Sequence, residues 1–508
     1  MTRLGDRHLG TAGGSLREGG TPIAVEIRLA QDAHLASVQH TAWMLLNVLS
    51  RLDGAVRVIR FNCPANVAPI DRISPLVPRR SNLSSALLEA AQGIGTPSDG
   101  FVPVEPSNGQ CSDAVIAVGF DNFPGATFCA VGDGLSGGLF TRPIQRPTKP
   151  SDLTIGPYLA ASLAAGEIFR MVRLIDYSPE RQLFLTASNY SHSPEPTWTT
   201  LHCPSELHSV LLAGVGAVGT TTLHCLYPLA LKGTIQVADN DTKGIEDTNL
   251  ARYSLFNSAA IGKQKASHAA ESMRDAKFRV LPHDGGFDHF FTGTNKPNIV
   301  LSAVDINSSR HGLQEQYAPL FLSASTLNLR TEILRCGPPS VGACLACFNP
   351  LQQNQRTEED IRALLQEQPQ VMARLSKKLH LDPSEVVAWI RHRKCSETGE
   401  RLVEELRTDD GSVPAFAVGF VSVLAGTFLA AELLKTLSGY AGPLNDELNR
   451  AVFQFQNPSA ATNRVQHYPR DNRCTACEPQ NAAAKIWKQR FEQFAKYSAV
   501  YRVPGRKS

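Results

Sequence analysis

Three glycines in LLAGVGAVGTTTLHCL have the spacing of a nucleotide-binding turn. Gly214, Gly216 and Gly219 form G-x-G-x-x-G between an apolar strand and a predicted helix. Glycines let the backbone turn tightly against a phosphate, and the amides at the start of the helix attract anions. The next strand, GTIQVADND, ends at Asp239, where the dinucleotide pattern expects an acid that binds ribose. On this stretch alone, an NAD-dependent dehydrogenase is one open interpretation.

Residues downstream favour phosphate chemistry over hydride transfer. Asn249, Arg252 and Lys265 lie in the segment DTKGIEDTNLARYSLFNSAAIGKQKA. Phosphoryl chemistry needs cations around an oxygen-rich centre, whereas hydride transfer needs a pocket for a flat ring. Asp305 ends the strand NIVLSAVD at the rim of a parallel sheet, where a carboxylate can hold Mg²⁺ against phosphates. Each charge alone is typical of a solvated surface, but the ordered set predicts an ATP site.

The elements that must position these residues occur twice. TPIAVEIRL, LASVQHTAWMLLNVLSRL and AVRVIRF repeat the strand, helix, strand order of the glycine motif, and AVIAVGFDN ends in Asp121 much as NIVLSAVDIN ends in Asp305. The pattern predicts an α/β protein with two doubly wound Rossmann-like halves. The first strand of the first half runs into LAQDAHLAS without a glycine, so we expect this half to bind no nucleotide. YLAASLAAGEIFR also aligns with VLAGTFLAAELLK, which pairs Glu167 with Glu432 and Arg170 with Lys435.

Composition narrows the class of protein. The chain has 508 residues, with 50 Lys and Arg against 47 Asp and Glu, so no global charge indicates a nucleic-acid partner. The start, MTRLGDRHLGTAGG, has no apolar signal core, which predicts a cytoplasmic protein. The uncharged stretch 413–431 is long enough to cross a bilayer, but its Gly, Ala and Ser content favours a buried packing helix. We therefore expect no membrane partner.

In their order, these motifs resemble those of the E1-like adenylating enzymes. This superfamily contains the ubiquitin-activating enzymes and the ThiF and MoeB sulfur-carrier activators. The matching segments are the glycine loop, ADND, NLARY, IGKQK, AVDINSSR and two C-x-x-C pairs. The resemblance implies ATP and Mg²⁺ as cofactors. By the same resemblance, Asp239 binds the ribose, Asn249 and Arg252 bind the phosphates, Lys265 acts at the reacting phosphate and Asp305 holds Mg²⁺.

Some positions depart from the family pattern or match it only locally. Ile306 stands where the family usually has Asn, so Asn307 is given no role, and the loop before Asn249 carries two extra residues. Arg310 matches the arginine that follows the family's Asp-Asn pair. In LGDRHLG, Arg7 matches an arginine that reaches across the dimer in family members and completes the catalytic set.

The chemistry that the resemblance implies needs no general base. A polypeptide C-terminal carboxylate has a pKa of about 3.5, so it is ionised at neutral pH and can attack the α-phosphate directly. The barrier lies in bringing two anions together and in the charge that develops on pyrophosphate. Arg252, Lys265 and Mg²⁺ on Asp305 would lower that barrier.

Four of the eleven cysteines form two C-x-x-C pairs. Four thiolates suit tetrahedral Zn²⁺, although 126 residues separate the pairs and the spacing alone is weak evidence. The resemblance implies a closed structural zinc site at Cys344, Cys347, Cys474 and Cys477. Six other cysteines are expected to be buried packing residues: Cys63, Cys111, Cys129, Cys203, Cys225 and Cys336.

The remaining cysteine, Cys395, lies in a predicted helical insertion between the two pairs. Family members that form thioesters carry a nucleophilic cysteine hereabouts, and the preceding residues in RHRKCSETGE are cationic. Positive neighbours lower a thiol pKa, so Cys395 is the predicted nucleophile. The predicted organisation is an inactive adenylation-like domain (1–200), an active adenylation domain (201–350 and 413–484), the catalytic-cysteine insertion (351–412) and a basic helical tail (485–508).

The sequence as a whole predicts an E1-like activating enzyme. It would adenylate a ubiquitin-like protein, hold it on Cys395 as a thioester and pass it to an E2-like carrier. The chain would be pseudo-dimeric, with a further homodimer left open. It most resembles the E1 of bacterial ubiquitination-like antiphage operons of the Bil type, which would imply a role in antiviral defence. The alternative is a ThiF or MoeB type adenylyltransferase without E2 transfer, and the less favoured one is the dehydrogenase.

Overall fold

The structure is a computed structural model of the 508-residue chain. It describes residues 20–497 except 122, 181, 293–295, 339–341, 351–357, 393–397, 400–401, 403–405, 407–417, 441 and 446–447.

The first half contains an eight-stranded sheet in the order β3-β2-β1-β4-β5-β6-β7-β8. The first five strands in this order, β3, β2, β1, β4 and β5, are parallel to one another. Strands β6, β7 and β8 extend the sheet by antiparallel pairing. The strands are β1 Ile23–Leu29, β2 Val56–Asn62, β3 Val104–Pro106, β4 Ala114–Val118, β5 Phe128–Asp133, β6 Ser136–Phe140, β7 Gln182–Thr186 and β8 His192–Ser193. The helices are α1 Ala36–Leu49, α2 Leu83–Gln92 and α3 Ile155–Arg173, with a 3₁₀ turn at Pro97–Asp99.

The second half repeats this arrangement in the order β11-β10-β9-β12-β13-β14-β15-β16, again parallel for the first five and antiparallel after. Its strands are β9 Glu206–Ala213, β10 Lys232–Ala238, β11 Arg279–His283, β12 Ile299–Ser302, β13 Leu320–Leu327, β14 Arg330–Cys336, β15 Arg450–Gln454 and β16 Val465–Gln466. Its first helices are α4 Ala217–Leu226, α5 Asp247–Leu250, α6 Lys265–Ser272, α7 Asn307–Glu315 and α8 Leu345–Phe348, with 3₁₀ turns at Ser258–Ala260 and Phe287–Phe291. The prediction of two Rossmann-like halves is confirmed.

The central strands are apolar because both faces of each sheet are covered. In β9, the run Val210–Ala213 is buried throughout, and β12 between its two parallel neighbours is buried at all four positions. The carboxyl ends of β9, β10 and β12 therefore meet at one edge, from which the loops after these strands emerge.

Residues 350–415 form a separate compact unit. Its described helices are α9 Glu358–Glu367, α10 Pro369–Lys378 and α11 Pro383–His392. They pack around a small apolar core that includes Ile361, Leu365, Leu375, Val386 and Trp389. Cys395 of this unit lies outside the described residues.

The uncharged stretch of the sequence is a core helix of the second half. Helix α12 spans Gly419–Ser438 and is long and apolar enough to cross a bilayer, yet 94% of its apolar window is buried within the protein. It packs against both α3 and α4. A Cβ at Gly426 would lie 2.5 Å from Thr221 Cβ, so the small residue permits the close approach of α12 to α4. The last helix, α13, is Ala482–Tyr497.

Candidate active site

The predicted nucleotide residues of the second half converge on one cavity of about 490 Å³. It lies at the carboxyl edge of the parallel strands, where α/β sheets bind ligands. Its lining includes Gly214, Gly216, Asp239, Asn249, Arg252, Lys265 and Asp305. Gly219 supports this lining from behind, and Arg7 lies outside the described residues.

The glycine loop has the backbone geometry that its residue types predict. Gly214 has φ +92°, a left-handed conformation that favours glycine. A Cβ at Gly219 would lie 2.1 Å from the carbonyl oxygen of Gly214, so only glycine lets α4 pack on the loop. A Cβ at Gly216 would meet nothing within 4 Å, and Gly216 caps the start of α4. The helix amides and the open space at Gly216 suit an anionic ligand.

Asp239 is fixed by the backbone on both sides of the cavity. One carboxylate oxygen accepts from the N–H of Val215 in the glycine loop at 2.6 Å, and the other accepts from the N–H of Asp241 at 3.0 Å. Burial raises the pKa of Asp239, while Lys265 and the two N–H donors lower it by less. The acid therefore ties the loop after β10 to the glycine loop.

Lys265, the first residue of α6, forms an ion pair with Asp241 in the cavity. Only 8% of Lys265 is exposed, and its Nζ lies 6.0 Å from the centre of the Tyr253 ring. Burial lowers the pKa of Lys265, but Tyr253, Asp241 and Asp239 outweigh burial and the net shift is upward. The cation therefore stays charged at neutral pH.

Asn249 lies in the short helix α5, and Arg252 lies two residues after its end. Arg252 Nη2 is 3.5 Å from Asn249 Oδ1, and the N–H of Arg252 donates to the carbonyl of Asn249 at 3.1 Å. Asn249 is 7% exposed and Arg252 is half-buried. A guanidinium and an amide thus lie together in the lining of the cavity.

Asp305 is exposed at the cavity, in the loop between β12 and α7 and three residues beyond the end of β12. Arg310 holds this loop: Nε donates to the carbonyl of Val304 at 3.1 Å, and Nη1 donates to Asn307 Oδ1 at 3.0 Å and to Asn349 Oδ1 at 2.7 Å. Arg310 therefore positions the loop rather than the ligand, and Asn307 helps to anchor it. An exposed carboxylate in the same cavity as Arg252 and Lys265 has the chemistry of a Mg²⁺ ligand.

Sequence reasoning gave no role to several lining residues, and three of them bear on the chemistry of the cavity. Asp241 was visible in ADND but was given no role, although it is the ion-pair partner of Lys265. Tyr253 lies under Lys265, and Phe287 enters the cavity from the 3₁₀ turn after β11. The letters NLARY contain Tyr253, whereas nothing in the local sequence marks Phe287, because its place depends on how the segment after β11 folds back.

At the corresponding edge of its sheet, the first half has a buried carboxylate in place of the glycine loop. Asp32, in the loop after β1, is 1% exposed and accepts from the N–H of Phe120 at 2.9 Å. Gly119 has φ +129°, and a Cβ there would lie 2.3 Å from Asp32 Oδ1. Burial raises the pKa of Asp32. Arg146 Nη2 lies 4.0 Å from Asp32 Oδ2, and the segment after β1, AQDAHLAS, contains no glycine.

The four C-x-x-C cysteines form one cluster, with all four sulfurs within 4.8 Å of one another. The measured separations are 3.6 Å for Cys344 and Cys347, 3.7 Å for Cys344 and Cys474, and 3.4 Å for Cys347 and Cys477. Tetrahedral zinc with bonds of about 2.3 Å needs sulfurs about 3.8 Å apart, so the cluster fits Zn²⁺. Among the other cysteines, Cys111 is exposed, and its predicted burial is wrong because it lies in a surface loop before β4.

Comparisons with known proteins identify the family of the second half. The family model described as ThiF family matches residues 205–476, more than half of the chain. The chain is 26% identical over 152 residues to the adenylyltransferase and sulfurtransferase UBA4 of Candida glabrata, a match that covers 28% of the chain but only 34% of that relative. It is also 26% identical over 419 residues to the protein y4jF of Sinorhizobium fredii, covering 77% and 78% of the two chains. Escherichia coli MccB with ATP aligns over 53% of the chain and 67% of that structure, at 17% identity and a TM-score of 0.36.

Proposed function

Since the chain belongs to the ThiF family, we propose that it uses ATP to adenylate the C-terminal carboxylate of a ubiquitin-like protein. The observation that carries this proposal is the single cavity that collects the glycine loop, one ribose-type acid, two cations and one exposed carboxylate. The word adenylyltransferase in the name of the Candida glabrata relative supports it. This set of groups matches the needs of attack at an α-phosphate better than those of hydride transfer.

Each residue has a defined task in the proposed reaction. Asp239 accepts the ribose hydroxyls, and the open backbone at Gly216 with the start of α4 receives phosphate oxygens. Arg252 and Lys265 neutralise the phosphates as the substrate carboxylate approaches and as pyrophosphate leaves. Asp305 would hold Mg²⁺, which supplies further charge neutralisation at the phosphates. The substrate carboxylate is already ionised, so the chain needs no general base.

In the second proposed step, the thiolate of Cys395 attacks the carbonyl carbon of the acyl adenylate. A thioester bond forms, the bond between the acyl carbon and the AMP oxygen breaks, and AMP leaves. Its sequence neighbours Arg391, Arg393 and Lys394 favour the thiolate. An E2-like protein would then take the acyl group, and Arg7 would add a cation during adenylation. A cytoplasmic E1 of the Bil antiphage type is the proposed setting.

The four-cysteine cluster has a structural role in this proposal. Four sulfur ligands fill a tetrahedral zinc and leave no position for substrate. Zinc would fasten the segment after β16 to the segment after β14, independently of the ATP cavity.

The second candidate is adenylation for sulfur transfer without an E2 partner. It is favoured by the name of the Candida glabrata relative, which includes sulfurtransferase. Both candidates share the adenylation step and differ in whether a thioester on Cys395 is an intermediate.

The test combines pyrophosphate exchange with thioester detection. Small ubiquitin-like proteins encoded near this chain are incubated with enzyme, Mg·ATP and labelled pyrophosphate. We expect exchange into ATP that depends on the ubiquitin-like protein and a DTT-sensitive adduct on the enzyme. Cys395→Ala should keep the exchange and lose the adduct, whereas Cys111→Ala, which removes an exposed thiol of the first half, should keep both.

The outcomes separate the candidates. A DTT-sensitive adduct that persists in Cys395→Ala would exclude the proposed thioester step. Exchange without any adduct in the wild type would support the sulfur-transfer candidate. Absence of exchange with every neighbouring ubiquitin-like protein would count against adenylation of this substrate class.

A further inference from the structure

Two polar side chains at the end of α1, in the half without a nucleotide loop, are buried against the segment that carries Arg252: Asn47 lies in the last turn of α1 and Arg51 lies two residues beyond it. Asn47 and Arg51 lie one helical turn apart and are 0% and 2% exposed. Arg51 Nε donates to Asn47 Oδ1 at 2.8 Å. Its two terminal nitrogens donate to the carbonyl oxygens of Leu250 at 2.6 Å and Phe256 at 2.7 Å. One guanidinium thus holds the backbone on both sides of Arg252.

Asn47 adds a third bond to the same segment. Its Nδ2 donates to the carbonyl of Ser254 at 2.7 Å. The hydroxyl of Ser254 lies 2.9 Å from that of Thr221 in α4, the helix that begins after Gly216. The contacts therefore join the first half, the phosphate-binding segment and the glycine-loop helix in one hydrogen-bonded network.

The choice of residue has a clear physical reason. A buried guanidinium is costly, and burial lowers the pKa of Arg51 to about 9. An apolar side chain would avoid that cost but would take the donor from the carbonyl of Phe256 and leave that of Leu250 with only the long 3.4 Å bond from the N–H of Tyr253. Only arginine offers a planar fork that reaches two carbonyls and an amide together. Arg51 also has no place in the cavity lining, so it acts through the segment it holds.

We infer that Arg51 and Asn47 are positioning residues that hold segment 250–256 so that Arg252 and Asn249 face the phosphates of ATP. The inference rests on the proposed function, from which the phosphate contacts of Arg252 and Asn249 come. It gives the first half a part in nucleotide binding although that half carries no nucleotide loop of its own.

The test compares binding of Mg·ATP and of adenosine by calorimetry. Arg51→Gln should weaken Mg·ATP by about tenfold to a hundredfold, because a charge-assisted contact to phosphate is misplaced, and change adenosine by less than about twofold. Arg51→Lys should weaken Mg·ATP by an intermediate factor. If Arg51 acts through Arg252, the double variant Arg51→Gln/Arg252→Ala should bind Mg·ATP as weakly as Arg252→Ala alone.

Thr154→Val is the matched control. Thr154 is fully buried, and its hydroxyl donates to the carbonyl of Cys225 at 2.7 Å between the same two halves, away from segment 250–256. It should leave binding of both ligands within about twofold. Asn47→Ala, which loses the bond to Ser254 and the acceptor for Arg51 Nε but keeps both bonds from Arg51 to the backbone, is the second variant if Arg51→Gln does not fold, with the same direction expected for Mg·ATP. Hydrogen exchange without nucleotide should rise in 250–256 for Arg51→Gln and not for Thr154→Val.

Failures of the two proposals are distinguishable. A wild-type protein that does not bind Mg·ATP contradicts the proposed function. Wild-type binding of Mg·ATP that Arg51→Gln leaves unchanged overturns the positioning role and leaves the proposed function standing. The positioning role is also overturned if Arg51→Gln weakens the binding of Mg·ATP and of adenosine equally. It is overturned as well if the losses of affinity add in the double variant.

Discussion

Lys265 and Asp241 form an ion pair within the cavity. Both residues line the cavity, and the lysine is almost fully buried, so its charge needs a partner when no ligand is present. Asp241 supplies that partner, and it is only about one-third exposed. Phosphate oxygens arriving in the cavity would share the lysine with Asp241, which keeps the buried cation compensated in both states.

Removing the charge of Lys265 should therefore lower the rate of the proposed adenylation. Lys265→Met leaves Asp241 without its partner and removes a charge-assisted contact, for which we expect a loss of about a hundredfold in kcat/KM for pyrophosphate exchange. Lys263→Met is the control, because Lys263 is exposed and pairs with Glu271 at 3.4 Å outside the cavity. Equal losses in both variants would mean that net charge around this loop, and not the position of Lys265, governs the rate.

For single residues, the sequence predicts which side chains line the cavity better than it predicts which side chains bond to each other. Seven cavity residues are predicted because each follows a strand end or stands in a motif of fixed spacing: Gly214, Gly216, Asp239, Asn249, Arg252, Lys265 and Asp305. The bond from Arg51 to Leu250 is not predicted, because it joins residues 199 positions apart and α1 carries no motif. Such contacts depend on how two folded layers meet, which no local pattern encodes.

The two cysteine pairs connect elements that are far apart along the chain. Cys344 and Cys347 flank and enter α8, and Cys477 lies just before α13. Trp487 of α13 is fully buried in the same apolar cluster as these cysteines, and its Nε1 donates to the carbonyl of Ala318 at 2.7 Å. The four-cysteine cluster and the last helix therefore form one packed element on the second half.

We expect one zinc ion for each chain and its loss in Cys477→Ser. Without that sulfur the remaining three cannot close a tetrahedron, so elemental analysis should show less than the full zinc content. The fluorescence of Trp487 should also shift toward that of a solvated tryptophan as α13 loosens.

Cys336→Ser is the control for zinc binding. Cys336 is 1% exposed in the same apolar cluster but is not one of the four clustered sulfurs. It should keep its zinc even if stability falls. Full zinc content in Cys477→Ser would rule out the four-sulfur site.

At the scale of elements, the sequence predicts burial but not partners. The small residues of 413–431 predicted a packing helix, and α12 is indeed buried from Gly419 to Thr436. Which helices it meets is decided by the sheet order and by fits such as Gly426 against Thr221, and these depend on the three-dimensional arrangement of both halves.

Each half has a buried ion pair whose glutamate also accepts a hydrogen bond from a tyrosine, but the tyrosine comes from a different place in each case. In α3, Glu167 pairs with Arg170 and accepts the hydroxyl of Tyr177 at 2.6 Å, all within the first half. In α12, Glu432 pairs with Lys435 but accepts the hydroxyl of Tyr190, a first-half residue, also at 2.6 Å. The aligned pairs of the sequence are thus real counterparts, one closed within its half and one joining the halves.

Tyr190→Phe should weaken the contact between the halves. It leaves the carboxylate of Glu432, which is 3% exposed, short of one hydrogen bond, at a cost of about 1–3 kcal/mol. We expect faster hydrogen exchange in α12 as well as around residue 190.

Tyr177→Phe is the matched control for that contact. It removes the corresponding bond to Glu167, so its effect should stay in first-half peptides. Exchange in Tyr190→Phe that rises only in the first half would refute a joining role for Glu432.

The repeated strand order in a single chain also has a consequence for mutation. In a symmetric homodimer every substitution is made in both subunits, so a change that suits one site is imposed on the other. Here each half has its own codons. Asp32 can therefore occupy one sheet edge while Gly214 is kept at the other, and α1 is free to specialise as a support. Because the two halves lie in one chain, substitutions in α1 of the first half can be selected independently of substitutions in the cavity of the second half.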